Sequence, residues 1–132
     1  MSAGERVAAA ACALVGSSFR LQGREPATGL DCVGVVALAL KAGGHEGPIP
    51  AGYNLRCGEA ARFRSSWAGL AAADGERAGD VLLCLAGPRQ LHLAVRTVAG
   101  FVHADAGLRR VVERPGPMPW PLLMAWRLPD RR

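Results

Sequence analysis

Cys32, in the run Gly29-Leu30-Asp31-Cys32-Val33-Gly34-Val35-Val36, and two later histidines, His92 and His103, are the residues through which this chain could do chemistry. Asp31 stands before an apolar run and has the chemistry of a helix N-cap, its carboxylate accepting a backbone N–H of the first turn. Cys32 then takes the first helical position, where unpaired amides and the positive end of the helix dipole favour a thiolate. A small buried hydrophobe is the competing reading of the same cysteine. A nucleophilic thiol needs a base and a group that orients the base. His92 opens one apolar run and His103 lies on the next. With an even hairpin loop between them the two rings share one face of a sheet, directly opposite or diagonal. His92 is then the candidate base for Cys32 and His103 its orienting partner, with Asp105, two positions on and on the same face as His103, as the rival for that role. His45 falls in a loop and reads as solvated.

The chain that must position these groups has 132 residues, half of them hydrophobic and a fifth charged, a globular composition able to bury a core without disulfides or a structural metal. Residues 1–132 read as one domain without internal repeats. Sixteen Lys and Arg against eleven Asp and Glu leave a formal charge of +5. That balance suits an anionic partner such as a cell-wall polymer. The arginines are scattered, without a basic run and interleaved aromatics, which argues against nucleic acid. Cys12, Cys32, Cys57 and Cys84 show neither a C-x-x-C pair nor zinc-site spacing. Cys12, Cys32 and Cys84 fall in apolar segments of the expected core, against a disulfide framework. No stretch has the length of a membrane span. An export signal is unlike the N-terminus, because Glu5 sits in the would-be cationic leader and the apolar run continues past Cys12.

Ser2 and Glu5 have capping-box spacing and open a helix with Val7, Ala11, Leu14 and Val15 at helical spacing, stopped at Gly16. Ser17 to Leu30 reads as loop, anchored to the core by Phe19 and Leu21. The Cys32 helix runs to about Lys41, apolar all round, and ends at Gly43-Gly44. His45 to Gly58 is a loop carrying Tyr53 and Cys57. Ala60, Phe63, Trp67, Leu70 and Ala71 predict a third helix over Glu59 to Ala73. Strands are predicted at Val81 to Leu85, Leu91 to Val98, Phe101 to Ala104, Leu108 to Val112 and Leu122 to Leu128, joined by short antiparallel turns. Pro115 to Pro121 is a rigid connector and Asp130-Arg131-Arg132 a solvated tail. Helices first and strands second give an α+β class, N-terminal helices packed on a C-terminal antiparallel sheet.

These residues and their order resemble the NlpC/P60 family of papain-like cysteine peptidases. The resemblance rests on Gly16-Ser-Ser-Phe19-Arg-Leu-Gln-Gly23, Asp31-Cys32-Val33-Gly34, Gly79-Asp80, His92-Leu93-Ala94-Val95 and Phe101-Val102-His103-Ala104, in the family's order over nearly the whole chain. It implies the papain-like NlpC/P60 fold, Cys32 as nucleophile, His92 as base and His103 as third residue, with no cofactor and no metal. The implied substrate is a peptidoglycan stem peptide, cut at a bond such as D-γ-glutamyl-diaminopimelate, with Asp31, Phe19 and Tyr53 as candidate substrate-binding residues. The compact D-C-V-G form is similar to versions carried by prophages, phage tails and gene transfer agents. That implies synthesis in the cytoplasm, delivery in a phage-like tail or baseplate, and action at the cell wall. Val33 replaces the family's usual serine, and Phe19 stands where many members have a tyrosine. An oxyanion hole would then combine the Cys32 N–H with a donor from elsewhere, the Ser17 to Gly23 loop being one source. Two other readings are a structural tail component that keeps the fold without the activity, and an acyltransferase or lipid hydrolase on the same scaffold.

Overall fold

The computed structural model describes residues 1–47 and 67–130. Helix α1 (Ala3–Ala13) opens on the anticipated capping box: the Ser2 hydroxyl accepts the Glu5 N–H and the Glu5 carboxylate accepts the Ser2 N–H, each at 3.1 Å. Asp130, expected in a solvated tail, instead accepts the Ala3 N–H at 2.6 Å. The helix buries Ala3, Val7, Ala8 and Ala11. Cys12 lies beyond the edge of that stripe and is exposed rather than part of the core, its thiol donating to Glu113 Oε2 at 3.7 Å.

Helix α2 (Cys32–Ala42) is capped by Asp31, whose Oδ1 accepts the Gly34 N–H at 2.9 Å. Every residue from Cys32 to Leu40 except Leu38 is buried, the pattern of a helix surrounded by protein. Each fully buried Val or Leu here contributes roughly 1.5–3 kcal/mol relative to exposure. The segment leading into α2 is more structured than the expected loop, for it holds a ribbon of β1 (Arg24–Glu25) and β2 (Gly29–Leu30). Two-residue strands are too short to leave a period in a sequence. Phe19 packs against the core as expected, whereas Leu21 is 70% exposed and anchors nothing. A Cβ on Gly34 would stand 2.2 Å from the Gly23 carbonyl oxygen. The glycine of Asp-Cys-Val-Gly therefore lets this loop lie directly on the first turn of α2.

The remaining strands are β3 (Ala71–Ala72), β4 (Val81–Gly87), β5 (Gln90–Arg96), β6 (Gly100–Asp105), β7 (Arg110–Pro115) and β8 (Leu122–Arg127). They form a six-stranded antiparallel sheet in the order β3-β8-β4-β5-β6-β7, so the fold is α+β. β7 starts later than Leu108 because Leu108 and Arg109 lie in its turn, Arg109 at φ 60°. The helix expected over Glu59 to Ala73 is absent from its described part. Ala68-Gly69 is a turn with Gly69 at φ +94°, and Ala71 and Ala72 pair with Arg127 and Trp126 of β8. A left-handed glycine and the open edge of a sheet override the local helical spacing. Residues 59–66 lie outside the described residues, as do Tyr53 and Cys57.

Strand alternation sorts the side chains. Leu83, Leu91, Leu93, Val95, Val102, Ala104 and Val111 join the helices in the main core. Leu82, Cys84, Ala94, Phe101 and Ala125 face the other way, under Met118 and Trp120 of the proline-rich connector. Asp80, fully buried at the start of β4, receives Arg127 Nε and Nη2, both at 2.8 Å, and the Arg77 N–H at 3.2 Å. This bidentate pair fastens the start of β4 to the end of β8. Replacing Asp80 by Asn is expected to lower the unfolding free energy by about 2–3 kcal/mol, because Arg127 loses its buried counter-charge. Urea denaturation measures this, and a midpoint equal to that of the wild type would refute it.

Candidate active site

The β5–β6 register decides whether the two histidines meet. Val95 pairs with Val102 and Arg96 with Phe101. Continuing that register sets His92 and His103 diagonally on one face, as an even loop requires. Their rings meet edge-on at 89°, with His92 Nε2 2.8 Å from His103 Nδ1. Asp105, the rival partner, has its Oδ1 engaged with the Leu108 N–H at 3.0 Å, closing the β6–β7 turn. The contact that fixes the His92 ring thus belongs to His103. When His92 donates from Nε2, its Nδ1 carries the lone pair of a base.

Both rings open on a cavity of about 720 Å³, a size suited to a small ligand or a peptide segment. Asp31 and Cys32 line it from the start of α2, and Phe19, Leu21 and Gln22 from the preceding loop. Gln90 and His92 line it from β5, and residues from His103 to Gly107 from β6 and its turn. Trp120 of the connector completes the described wall. The structure therefore brings together Cys32, His92, His103, Asp31 and Phe19, while Tyr53 lies outside the described residues.

The electrostatics differ from the sequence expectation. Cys32 is only 3% exposed, and burial pushes its thiol up to about 12. The Leu93 amide pulls it back, the Asp31 charge raises it again, and the amides of Val33 and Cys32 itself pull it down. Leu93 follows His92 in β5, so the strand that carries His92 also faces the sulfur. Burial pushes His92 down to about 4, the His103 charge acting in the same direction and Asp105 against it. His103, also buried, is lowered first by burial, with Asp105 raising and Arg114 lowering it. The thiol and the imidazole are both neutral at rest. The thiolate anticipated at the helix start is not the resting species, because desolvation outweighs the dipole and the amides.

Asp31 acts as a hub. Its Oδ1 takes the Gly34 N–H and Arg24 Nη1, the latter at 3.0 Å, while Oδ2 takes the Gln22 N–H at 2.8 Å. Gln22 holds φ 59°, a left-handed conformation that costs a side-chain-bearing residue about 1–2 kcal/mol. Sequence reasoning passed over this residue and Trp120 as well. The indole lies 5.5 Å from the His92 ring at 87° and 5.6 Å from the His103 ring at 71°, with the Arg114 guanidinium 5.5 Å from its own centroid. Its only sequence signal was a tryptophan set between prolines. His45, expected to be solvated, is buried, and its Nε2 has no hydrogen-bond partner among the described residues.

Helices on one face of an antiparallel sheet, with a cysteine at a helix start and a histidine pair on adjacent strands, form a papain-like α+β arrangement. Solved structures similar to it include NlpC1 from Trichomonas vaginalis, with a TM-score of 0.69 and 18% identity, covering 96% of this chain and 44% of that one. NlpC2 from the same organism has a TM-score of 0.70 and 15% identity, covering 97% and 47%. The NlpC/p60 domain of the peptidoglycan hydrolase SagA has a TM-score of 0.61 and 22% identity, covering 93% and 97%. The chain has the NlpC/P60 fold. It spans less than half the length of the two Trichomonas proteins. No protein-family model and no curated protein sequence matches it.

A histidine held neutral stabilises the fold above its ordinary value of 6.5, and that contribution is lost as pH falls toward 4, because the unfolded chain takes up the proton first. Melting temperature is therefore expected to fall between pH 6.5 and 4. Trp120→Ala, which lets water reach both rings, is expected to raise the His92 titration toward the ordinary range and to shrink its share of that loss. NMR titration of the imidazole carbons measures it, and an unmoved His92 would show that Trp120 does not set its environment.

Proposed function

We propose that this protein is a cysteine endopeptidase of the cell wall, hydrolysing a stem-peptide amide such as D-γ-glutamyl-diaminopimelate. The observation that carries this reading is the 2.8 Å contact of His92 Nε2 with His103 Nδ1 on a cavity that Cys32 shares. The NlpC/P60 fold, found also in a peptidoglycan hydrolase, supports the substrate class. The sequence resemblance to particle-borne members supports delivery by a phage-like tail.

In the proposed reaction Cys32 Sγ attacks the carbonyl carbon as its proton passes to His92 Nδ1. Because both groups rest neutral, transfer accompanies attack rather than preceding it. The imidazolium is held by His103 Nδ1. The C–N bond then breaks, the amine leaves with the His92 proton, and a thioester remains on Cys32. Water deprotonated by His92 hydrolyses the thioester, releasing the carboxylate and restoring the thiol. Phe19 and the Asp31 hub shape the cavity wall beside the sulfur.

The burial of the thiol favours one alternative, a structural component that retains the fold without catalysis. The two readings part experimentally. Cys32→Ala and His92→Ala are expected to abolish release of new amino groups from purified cell wall while circular dichroism stays native. His103→Ala is expected to leave a residual rate, reduced on the order of 10²-fold. Undiminished release by Cys32→Ala would refute the proposal, and no release by the wild-type protein would favour the structural reading.

A further inference from the structure

Three turns border the mouth of the Cys32 cavity. Arg20 to Gln22 precedes the β1–β2 ribbon, Pro88-Arg89 joins β4 to β5, and Ala106 to Arg109 joins β6 to β7. Antiparallel pairing brings the last two to one end of the sheet, and the Phe19 N–H, donated to the Arg109 carbonyl at 3.0 Å, ties the first turn to the third. Leu21, Gln22, Gln90, Ala106 and Gly107, at or beside these turns, line the cavity itself.

The turns present two kinds of side chain to solvent. Leu21 is 70% and Leu108 60% exposed, and beside them in the chain stand the exposed Arg20, Arg109 and Arg110, with Arg89 on the neighbouring turn. Arg6, Arg24, Arg96 and Arg127 engage carbonyl or carboxylate oxygens. Among the described residues none of the rim guanidiniums, on Arg20, Arg89, Arg109 and Arg110, has a hydrogen bond or an ion pair. The carboxylate of the same stretch, Asp105, accepts the Leu108 N–H at 3.0 Å. Arg89 and Arg109 hold φ 58° and 60°, left-handed positions that glycine takes without strain, so both turns carry a charge where the backbone alone favours no side chain. A soluble polyanion would be matched by the arginines alone and would gain nothing from the leucines. Leucine and arginine together on loop tips match a surface that is anionic outside and apolar beneath.

We infer that this rim is a docking surface for an anionic lipid bilayer, with Leu21 and Leu108 entering the acyl boundary and Arg20, Arg89, Arg109 and Arg110 resting on headgroup phosphates. The inference stands apart from the thiol chemistry, since it uses neither Cys32 nor the histidine pair. Docked in this way, the protein turns its cavity mouth toward the membrane. A molecule then reaches Cys32 from the lipid surface.

The test is cosedimentation of the full chain with vesicles of equimolar phosphatidylglycerol and phosphatidylcholine, compared with vesicles of phosphatidylcholine alone. The wild type is expected to bind the mixed vesicles at least about 10-fold more tightly, with the difference shrinking as added salt screens the headgroups. The double variant Leu21→Ser, Leu108→Ser is expected to melt with the wild type, because both side chains are exposed, and to bind mixed vesicles at least about 10-fold more weakly. Arg89→Ala with Arg109→Ala is expected to cause a loss of similar size. Val98→Ser removes a valine 98% exposed at the opposite end of the sheet, and is expected to leave binding within about 2-fold of the wild type. Dextran sulfate, a polyanion with no apolar phase, is expected to bind the leucine variant and the wild type equally. Absence of wild-type binding to mixed vesicles would overturn the inference. So would vesicle binding that the leucine substitutions leave unchanged, which would assign the rim to anionic polymers, or an equal loss in Val98→Ser, which would mark the adhesion as unspecific. Release of amino groups from cell wall by the wild type reports separately on the endopeptidase reading.

Discussion

The Asp31 carboxylate is the interaction on which the site depends. It is buried among one helix amide, one loop amide and one guanidinium, and each of those contacts fixes a different element. Capping Gly34 sets where α2 begins and hence where the sulfur sits. Binding Gln22 pulls the preceding loop onto that first turn, and Arg24 brings the β1–β2 ribbon with it. A buried charge of this kind is tolerated only because its lone pairs are answered by donors in good geometry. The same carboxylate is one reason, after burial, that the thiol stays protonated. One group therefore both positions Cys32 and favours its protonated thiol.

The histidine pair depends on a separate and more distributed constraint. Antiparallel register across β5 and β6 places the two rings diagonally, and no single residue enforces it. It follows from the short Val98-Ala99 tip, where the Thr97 N–H meets the Gly100 carbonyl at 2.9 Å and the Gly100 N–H meets Thr97 Oγ1 at 3.0 Å. The sheet is packed on both faces, so a one-residue slip would turn Leu93 and Val95 out of the main core along with the histidines. Burial of ordinary hydrophobes thus protects the alignment of the polar pair.

The parts of the molecule legible in the sequence were those with a strong local signature. The Ser2–Glu5 box, the Asp31 cap and five alternating strands each carry a period or a motif, and each is found near its expected bounds. That Cys32, His92 and His103 come together on one cavity was readable because each lies on a regular element. What escaped reading depends on contacts far apart in sequence. β3 exists because an edge of β8 lay open to it, against the helical spacing of its own residues. Cys12 sits where only α1's packing on α2 decides which side is covered. Trp120 and Gln22 lie in irregular segments whose direction is set by the sheet and by Asp31. Protonation was misread for the same reason, since the helix start is local whereas desolvation comes from the whole fold.

The enclosure of Cys32 bears on how the protein survives before it acts. Sulfur is oxidised to sulfenic acid, and onward to irreversible sulfinic and sulfonic acids, chiefly through its thiolate and where oxidant can reach it. A sulfur 3% exposed, with its thiol raised to about 12, is slow by both routes. An oxidant therefore meets the exposed Cys12 more readily than Cys32, which the fold encloses.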